Sequence, residues 1–144
     1  MEIRSILPEE LPAAIELIWD TFQAYEAPEY PAEGIATFRD SLDSPDYLGA
    51  LELWGAFREE KLLGVIATRS QRGHIALFFV KQSCLGQGIG RQLFAYLLPL
   101  CPGPLLTVNS SPYAVAFYEK LGFVADSPEQ LRDGIRFTPM HYQI

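Results

Sequence analysis

A mixed α/β fold, a sheet with helices on its faces, is the class that this sequence predicts. Three observations carry the prediction. Short continuous apolar runs, such as "HIALFFV" at 74–80, read as buried strands. Longer segments with apolar residues at helical spacing separate them. Three glycines at alternate positions, Gly86, Gly88 and Gly90, stand where the apolar run ending at Val80 gives way to a helix.

In chain order, "MEIRSIL" reads as a strand stopped by Pro8. "EELPAAIELIWDTFQAY" puts Leu11, Ile15, Ile18, Phe22 and Tyr25 on one face of an amphipathic helix. The prolines and glycine of "EAPEYPAEG" make a loop. A second short helix covers "GIATFRDSLDS", with Ile35, Phe38 and Leu42 on one side. "GALELWGAFREEKLLGVIATRSQ" reads as a hairpin turning at Arg58 to Lys61. "HIALFFV", bounded by Gly73 and the glycine loop, has the pattern of a strand covered on both faces. The helix after the loop turns Ile89, Leu93, Leu97 and Leu100 inward. "PLLTVNSS" is a further buried strand. Ser111 as N-cap, Pro112 at the first position and Gly122 just past the end delimit a last helix. "FVADS" and "GIRFTPMHYQI" supply two closing strands.

Composition narrows the function classes. With 144 residues, 49% apolar and 20% charged, the chain suits one globular domain rather than a disordered tail. The acids of "MEIRSILPEE" do not suit a secretory signal. The longest uncharged apolar stretch, 93–108, is broken by Pro99, Pro102, Gly103 and Pro104, so no membrane segment is expected. Cys84 and Cys101 have no metal-like spacing and no framework of disulfides, which points to reduced thiols and a cytoplasmic protein with no metal. A net charge of −7 argues against nucleic acid as a partner. From Lys61 to Tyr118 there is no acid, yet Lys61, Arg69, Arg72, Lys81 and Arg91 lie there, whereas residues 1–60 hold 14 acids. The acid-free middle, with its glycine loop, suits an anionic ligand, although scarce charge is also what a buried core shows.

The loop is not a dinucleotide turn, which wants G-x-G-x-x-G near the first strand and an acid about 20 residues later. It is not a P-loop either, because no Gly-Lys-Ser/Thr follows. "VKQSCLGQGIGRQL" followed by "NSSPYAVAFYEKLGF" resembles the two signatures of the GNAT superfamily of acetyl-CoA-dependent N-acetyltransferases. In that family an Arg/Gln-x-x-Gly-x-Gly/Ala loop receives the coenzyme A pyrophosphate on backbone N–H groups at a helix start. Gly88 and Gly90 match its small positions. Ala114, Phe117, Tyr118, Gly122 and Phe123 match the later A-x-x-F-Y-x-x-x-G-F. The resemblance implies a mixed, mostly antiparallel central sheet of six to seven strands with helices on both faces. It also implies a coenzyme A path along Phe79, Val80, Leu85, Gly86, Gln87, Gly88, Ile89, Gly90 and Arg91, with Asn109, Ser111 and Phe117 on the side of the second signature. Leu85 stands where the family usually has Arg or Gln, so only backbone recognition of phosphate carries over there. A frequent Pro is Gln82, and a frequent Asn is Ser111.

The chemistry implied is attack of a neutral amine on a thioester, with the oxyanion stabilised and the departing thiolate protonated. The resemblance gives the carbonyl oxygen a backbone N–H around Val80, and it gives Tyr118 the role of acid. His74, six residues before Val80, is the candidate base; period two would place it on one face with Ala76, Phe78 and Val80. A solvated strand-end histidine is the plainer reading of His74, and His141 is a weaker candidate. Cys84 as a nucleophile lacks an orienting acid. The first two helices and their loop, including Tyr25, Glu26, Glu29, Tyr30 and Glu33, would select the acceptor. Their acidity leans slightly to a cationic amine, small molecule or protein. The rival reading is a non-catalytic acetyl-CoA-binding sensor of the same fold. A monomer and a homodimer suit the sequence equally.

Overall fold

A computed structural model describes residues Met1–Ile144. Its strands are β1 (Glu2–Ser5), β2 (Glu52–Arg58), β3 (Lys61–Arg69), β4 (His74–Val80), β5 (Leu105–Ser110), β6 (Val124–Ala125), β7 (Gln130–Arg132) and β8 (Ile135–Gln143). They form one mixed sheet in the order β1-β2-β3-β4-β5-β8-β6, with β7 paired to β8. Every pairing is antiparallel except β4–β5. The sequence divides the last segment into two strands; the extra one, β7, forms within the connection between them. The β2–β3 turn is made by Glu59 and Glu60, both at positive φ.

The helices are α1 (Leu11–Tyr25), α2 (Ala32–Leu42), α3 (Pro45–Gly49), α4 (Ile89–Leu97) and α5 (Val115–Leu121). The short α3 was not anticipated, though its signals are present: Ser44 Oγ accepts from Tyr47 N at 3.2 Å, and Pro45 follows. Two expectations need correction. The last helix begins three residues late, because Pro112–Ala114 form a 3-10 turn and the Ser111 side chain caps nothing. Leu100 lies past the end of α4 and is exposed rather than inward.

Helices cover both faces. α4 and α5 pack over Ala56, Ile66, Ile75, Leu106 and Val108 with Leu93, Leu97 and Tyr118, joined by Phe123 just past the end of α5. α1 and α2 pack over Val65, Ala67, Leu77 and Phe79 with Ala14, Ile18, Phe22 and Leu42. Full burial of each large aliphatic or aromatic side chain contributes about 1.5–3 kcal/mol. The backbone at Gly34 in α2 lies so close to the Gly134 carbonyl that a β-carbon there would collide with it. Thr37 Oγ1 donates to the Asp133 carbonyl at 2.7 Å, and Arg136 Nη1 donates to the Glu29 carbonyl at 2.9 Å. These contacts seat the α1–α2 connection on the β7–β8 turn.

A bulge in β4 decides the site. Ala67 pairs with Leu77 but Thr68 with Ile75, so Ala76 is an extra residue. Past it the parity of the strand flips: Ile75, Phe78 and Val80 all face α4 and α5, while Leu77 and Phe79 face α1 and α2. His74, opposite in sense to Ile75, therefore projects to the α1/α2 face. The expectation that it shares a face with Phe78 and Val80 is overturned by that one extra residue.

Candidate active site

The glycine loop has the form of an anion cradle. Gly86 and Gly88 adopt φ of +80° and +78°, which L side chains rarely reach. Gly88 is the N-cap of α4 in the left-handed conformation. The N–H groups of Gly86 through Arg91 donate to no backbone acceptor, and intrahelical bonding resumes with Gln92 N to Gly88 O at 3.0 Å. A β-carbon on either Gly86 or Gly88 would meet nothing within 4 Å, so it is the positive φ and not crowding that calls for glycine there. Gly90 serves a different purpose: a β-carbon there would stand 3.0 Å from the Phe117 ring, so its absence lets that ring close over the loop. Leu85, Gln87 and Arg91 are exposed around the loop, and Ile89 anchors it in the core.

β4 and β5 pair only at His74–Thr107 and Ile75–Val108. Beyond these positions the strands part, and a cavity of about 290 Å³ opens at the parting. Phe79, Asn109, Ser111 and Tyr118 line it, together with Glu26 and Tyr30 from the connection after α1. Phe117 packs edge-on to Phe78 and Tyr118, with ring centroids 5.4 and 5.7 Å apart. Tyr118 is only 5% exposed. Burial first, and the nearby Glu26 second, push its hydroxyl well above the ordinary tyrosine range. Its hydroxyl is therefore protonated at every working pH.

Glu26 is the functional candidate to which sequence reasoning gave no chemical role. It is partly buried, and loss of hydration pushes its carboxyl from 4.5 up to about 7. The Ser111 hydroxyl opposes that shift. Ser111 Oγ is itself buried with no partner in hydrogen-bond geometry, so it is near the carboxyl without a formed bond to it. No cation offsets the carboxyl's desolvation. The available signal was only that one acid of the α1–α2 loop follows a helical aromatic run; its burial comes from residues far along the chain.

The remaining candidates fall apart from this group. His74 lines the cavity at the closed end of the parting, where its Nδ1 lies 2.7 Å from Thr107 Oγ1. Thr107 Oγ1 in turn donates to the Gly73 carbonyl at 3.2 Å, so the network assigns the proton to His74 Nδ1. Burial, with Arg69 adding to it, lowers His74 to about 4. His141 bonds Asp126 on the far edge of the sheet, and Cys84 is buried in the core facing α4. Of the five residues expected to select the acceptor, Glu26 and Tyr30 line the cavity. Tyr25 instead stacks on Tyr113 and Glu29 pairs with Arg136. No group of three or more His, Cys, Asp or Glu side chains could hold a metal ion, and no helix is long and apolar enough to cross a membrane.

A sheet that parts beside a glycine-capped helix, with a tyrosine in the opening, is the arrangement that the resemblance to the GNAT superfamily implies. The chain belongs to that family: the family model described as an acetyltransferase (GNAT) domain matches residues 26–144. Among curated relatives, the peptidyl-lysine N-acetyltransferase YjaB of Salmonella typhimurium is 31% identical over 90 residues. That match spans 61% of this chain and 61% of the relative. Among solved structures, a GCN5-related N-acetyltransferase from Rhodopseudomonas palustris superposes with a TM-score of 0.86 at 21% identity, covering 99% of this chain and 95% of that one. The PaiA N-acetyltransferase of Thermoplasma acidophilum, solved with coenzyme A, gives 0.79 at 20% identity and covers 99% and 98%. At these identities the two structures establish the fold.

Proposed function

We propose that this protein transfers the acetyl group of acetyl-CoA to a primary amine by direct attack in a ternary complex. The observation that supports this most is the pairing across one cavity of a carboxyl raised to about 7 and a tyrosine kept protonated, beside free helix-start N–H groups. The residues present fit acetyl-CoA. The N–H groups of Gly86 to Arg91 suit its pyrophosphate, Phe79, Val80 and Phe117 suit the pantetheine arm, and the unpartnered Ser111 Oγ, with Asn109, offers polar contacts in the opening. Bound there, acetyl-CoA supplies an activated thioester. Glu26, as carboxylate, accepts the amine's proton; a base near 7 matches the working pH better than His74 at about 4. A backbone N–H around Val80 orients the carbonyl, and Tyr118 gives its proton to the departing sulfur. The peptidyl-lysine amine in the Salmonella relative's name is one candidate acceptor. The free thiols of Cys84 and Cys101 suit a cytoplasmic setting.

Two measurements bear on the assignment of parts. Acetyl-CoA at 100 times its dissociation constant is expected to stabilise the fold by about 2.7 kcal/mol. Gly88→Glu should abolish that thermal upshift, since it adds a carboxylate to the anion-binding loop and strains its left-handed backbone at φ +78°. Equal upshifts in both proteins would remove the loop from the account. His74→Gln is expected to keep kcat within about threefold of wild type. A loss comparable to that of a removed base, with the pH inflection gone, would return the role to His74.

A further inference from the structure

The acceptor cavity carries opposite charges on different parts of its wall. Glu26 stands where β4 and β5 part. Arg69, the last residue of β3, pairs with His74 across the ladder, so both side chains project to the α1/α2 face. Arg69 lines the cavity together with His74 at the start of β4 and Tyr47 of α3. Arg4, Arg39, Arg72 and Arg136 each hold a carboxylate, whereas Arg58, Arg91 and Arg132, like Arg69, do not; of these four, Arg69 and Arg132 line the cavity. Arg69 is exposed at the end of β3, on the rim of the cavity, and takes part in no ion pair or side-chain hydrogen bond.

The other charges on the wall do not compensate it. Arg132 lies over the Phe137 ring at 5.4 Å, and Asp133 follows it on the same turn, so that turn is neutral in sum. Of the 14 acids in residues 1–60, Glu26 alone lines the cavity. The acidity of the first helices therefore belongs to the outer surface. A polyamine entering with one amine at Glu26 would bring its remaining positive charges towards Arg69.

We propose that Arg69 is an anion subsite in the acceptor cavity, and that the acceptor is a small amine bearing a carboxylate, an amino acid or ω-amino acid. The amine is held at Glu26 and the carboxylate at the Arg69 guanidinium, whose planar fork suits a carboxylate. This rests on the cavity being the acceptor site of the reaction proposed above.

The test uses matched pairs: L-alanine, γ-aminobutyrate and ε-aminocaproate, each against its own amide, with wild type, Arg69→Gln and Arg69→Lys. For the chain length that fits, wild type should favour the carboxylate about 10- to 100-fold in kcat/KM, the range for a lost hydrogen bond to a charged partner. Arg69→Gln should erase the preference, Arg69→Lys should retain part of it, and the KM for acetyl-CoA should stay unchanged in both. Equal use of all carboxylates and amides by wild type, or a preference that survives Arg69→Gln, would overturn the subsite. Calorimetric binding of the same pairs to the CoA-loaded protein separates the two readings. Carboxylate binding lost in Arg69→Gln without any turnover would keep the subsite and sink the acetyltransferase reading. No binding difference between carboxylate and amide in wild type would sink the subsite whatever the turnover.

Discussion

Glu26→Gln is expected to lower kcat/KM about 10²- to 10⁴-fold, the usual worth of a positioned base. The amide keeps the shape of the side chain but accepts no proton at neutral pH. In wild type the carboxyl must be ionised to act, so activity should rise with pH through about 7, where desolvation holds it. Amine ionisation also slopes the profile, so the comparison is with the variant using the same amine: the inflection near 7 should vanish. The same substitution should have the opposite effect on stability. Glu26 has a folded pKa of about 7 and an ordinary value of 4.5, so the folded state binds the extra proton between them. Stability contributed by that proton is present below 4.5 and is lost as pH rises to 7. Gln never ionises, so at pH 8 the variant should be more stable by about 1–3 kcal/mol, a figure reduced for the partial exposure of the site, with a smaller difference at pH 5. A variant that is less active but shows no pH-dependent gain in stability would mean that the carboxylate is already well solvated, and would contradict its role as a tuned base.

Tyr118→Phe should lower kcat by 10²- to 10⁴-fold, nearer the lower figure because thiolate leaves readily. The ring packs edge-on to Phe78, Phe117 and Phe123, and those contacts survive loss of the hydroxyl. Affinity for acetyl-CoA should therefore be unchanged, and folding little affected. Single-turnover rates separate chemistry from product release. A chemical step as fast as in wild type would leave Tyr118 as a packing residue.

Local pattern made most of the fold legible. The apolar run 74–80 is β4 to the residue, and Gly122 ends α5 with φ +111°. The α1 face is met in part: Ile18 and Phe22 are buried as the spacing implies, but Ala14 and Leu17 complete the face while Leu11, Ile15 and Tyr25 are only partly buried. The glycine loop was equally plain, because positive φ and a helix start depend on neighbours in sequence. What escaped depends on distant residues. One extra residue at Ala76, set by pairing with β3, turned His74 to the opposite face. Glu26 looked like one acid among many until Tyr30, Ser111 and Tyr118 closed around it, with Arg136 holding the adjoining loop from 107 residues away. Ser111 read as a cap because it precedes Pro112, but the 3-10 turn left its hydroxyl in the cavity wall without a partner.

Release of coenzyme A thiol from acetyl-CoA in the presence of an amine panel, with the acetylated amine identified by mass, tests the central claim most directly. The account predicts amine-dependent release by the wild-type chain that falls to background in Gly88→Glu and drops sharply in Glu26→Gln and Tyr118→Phe. Acetyl-CoA that binds and raises the melting temperature, yet yields no acetylated amine across free amines and peptidyl lysine, would contradict it and make the protein a sensor of the same fold.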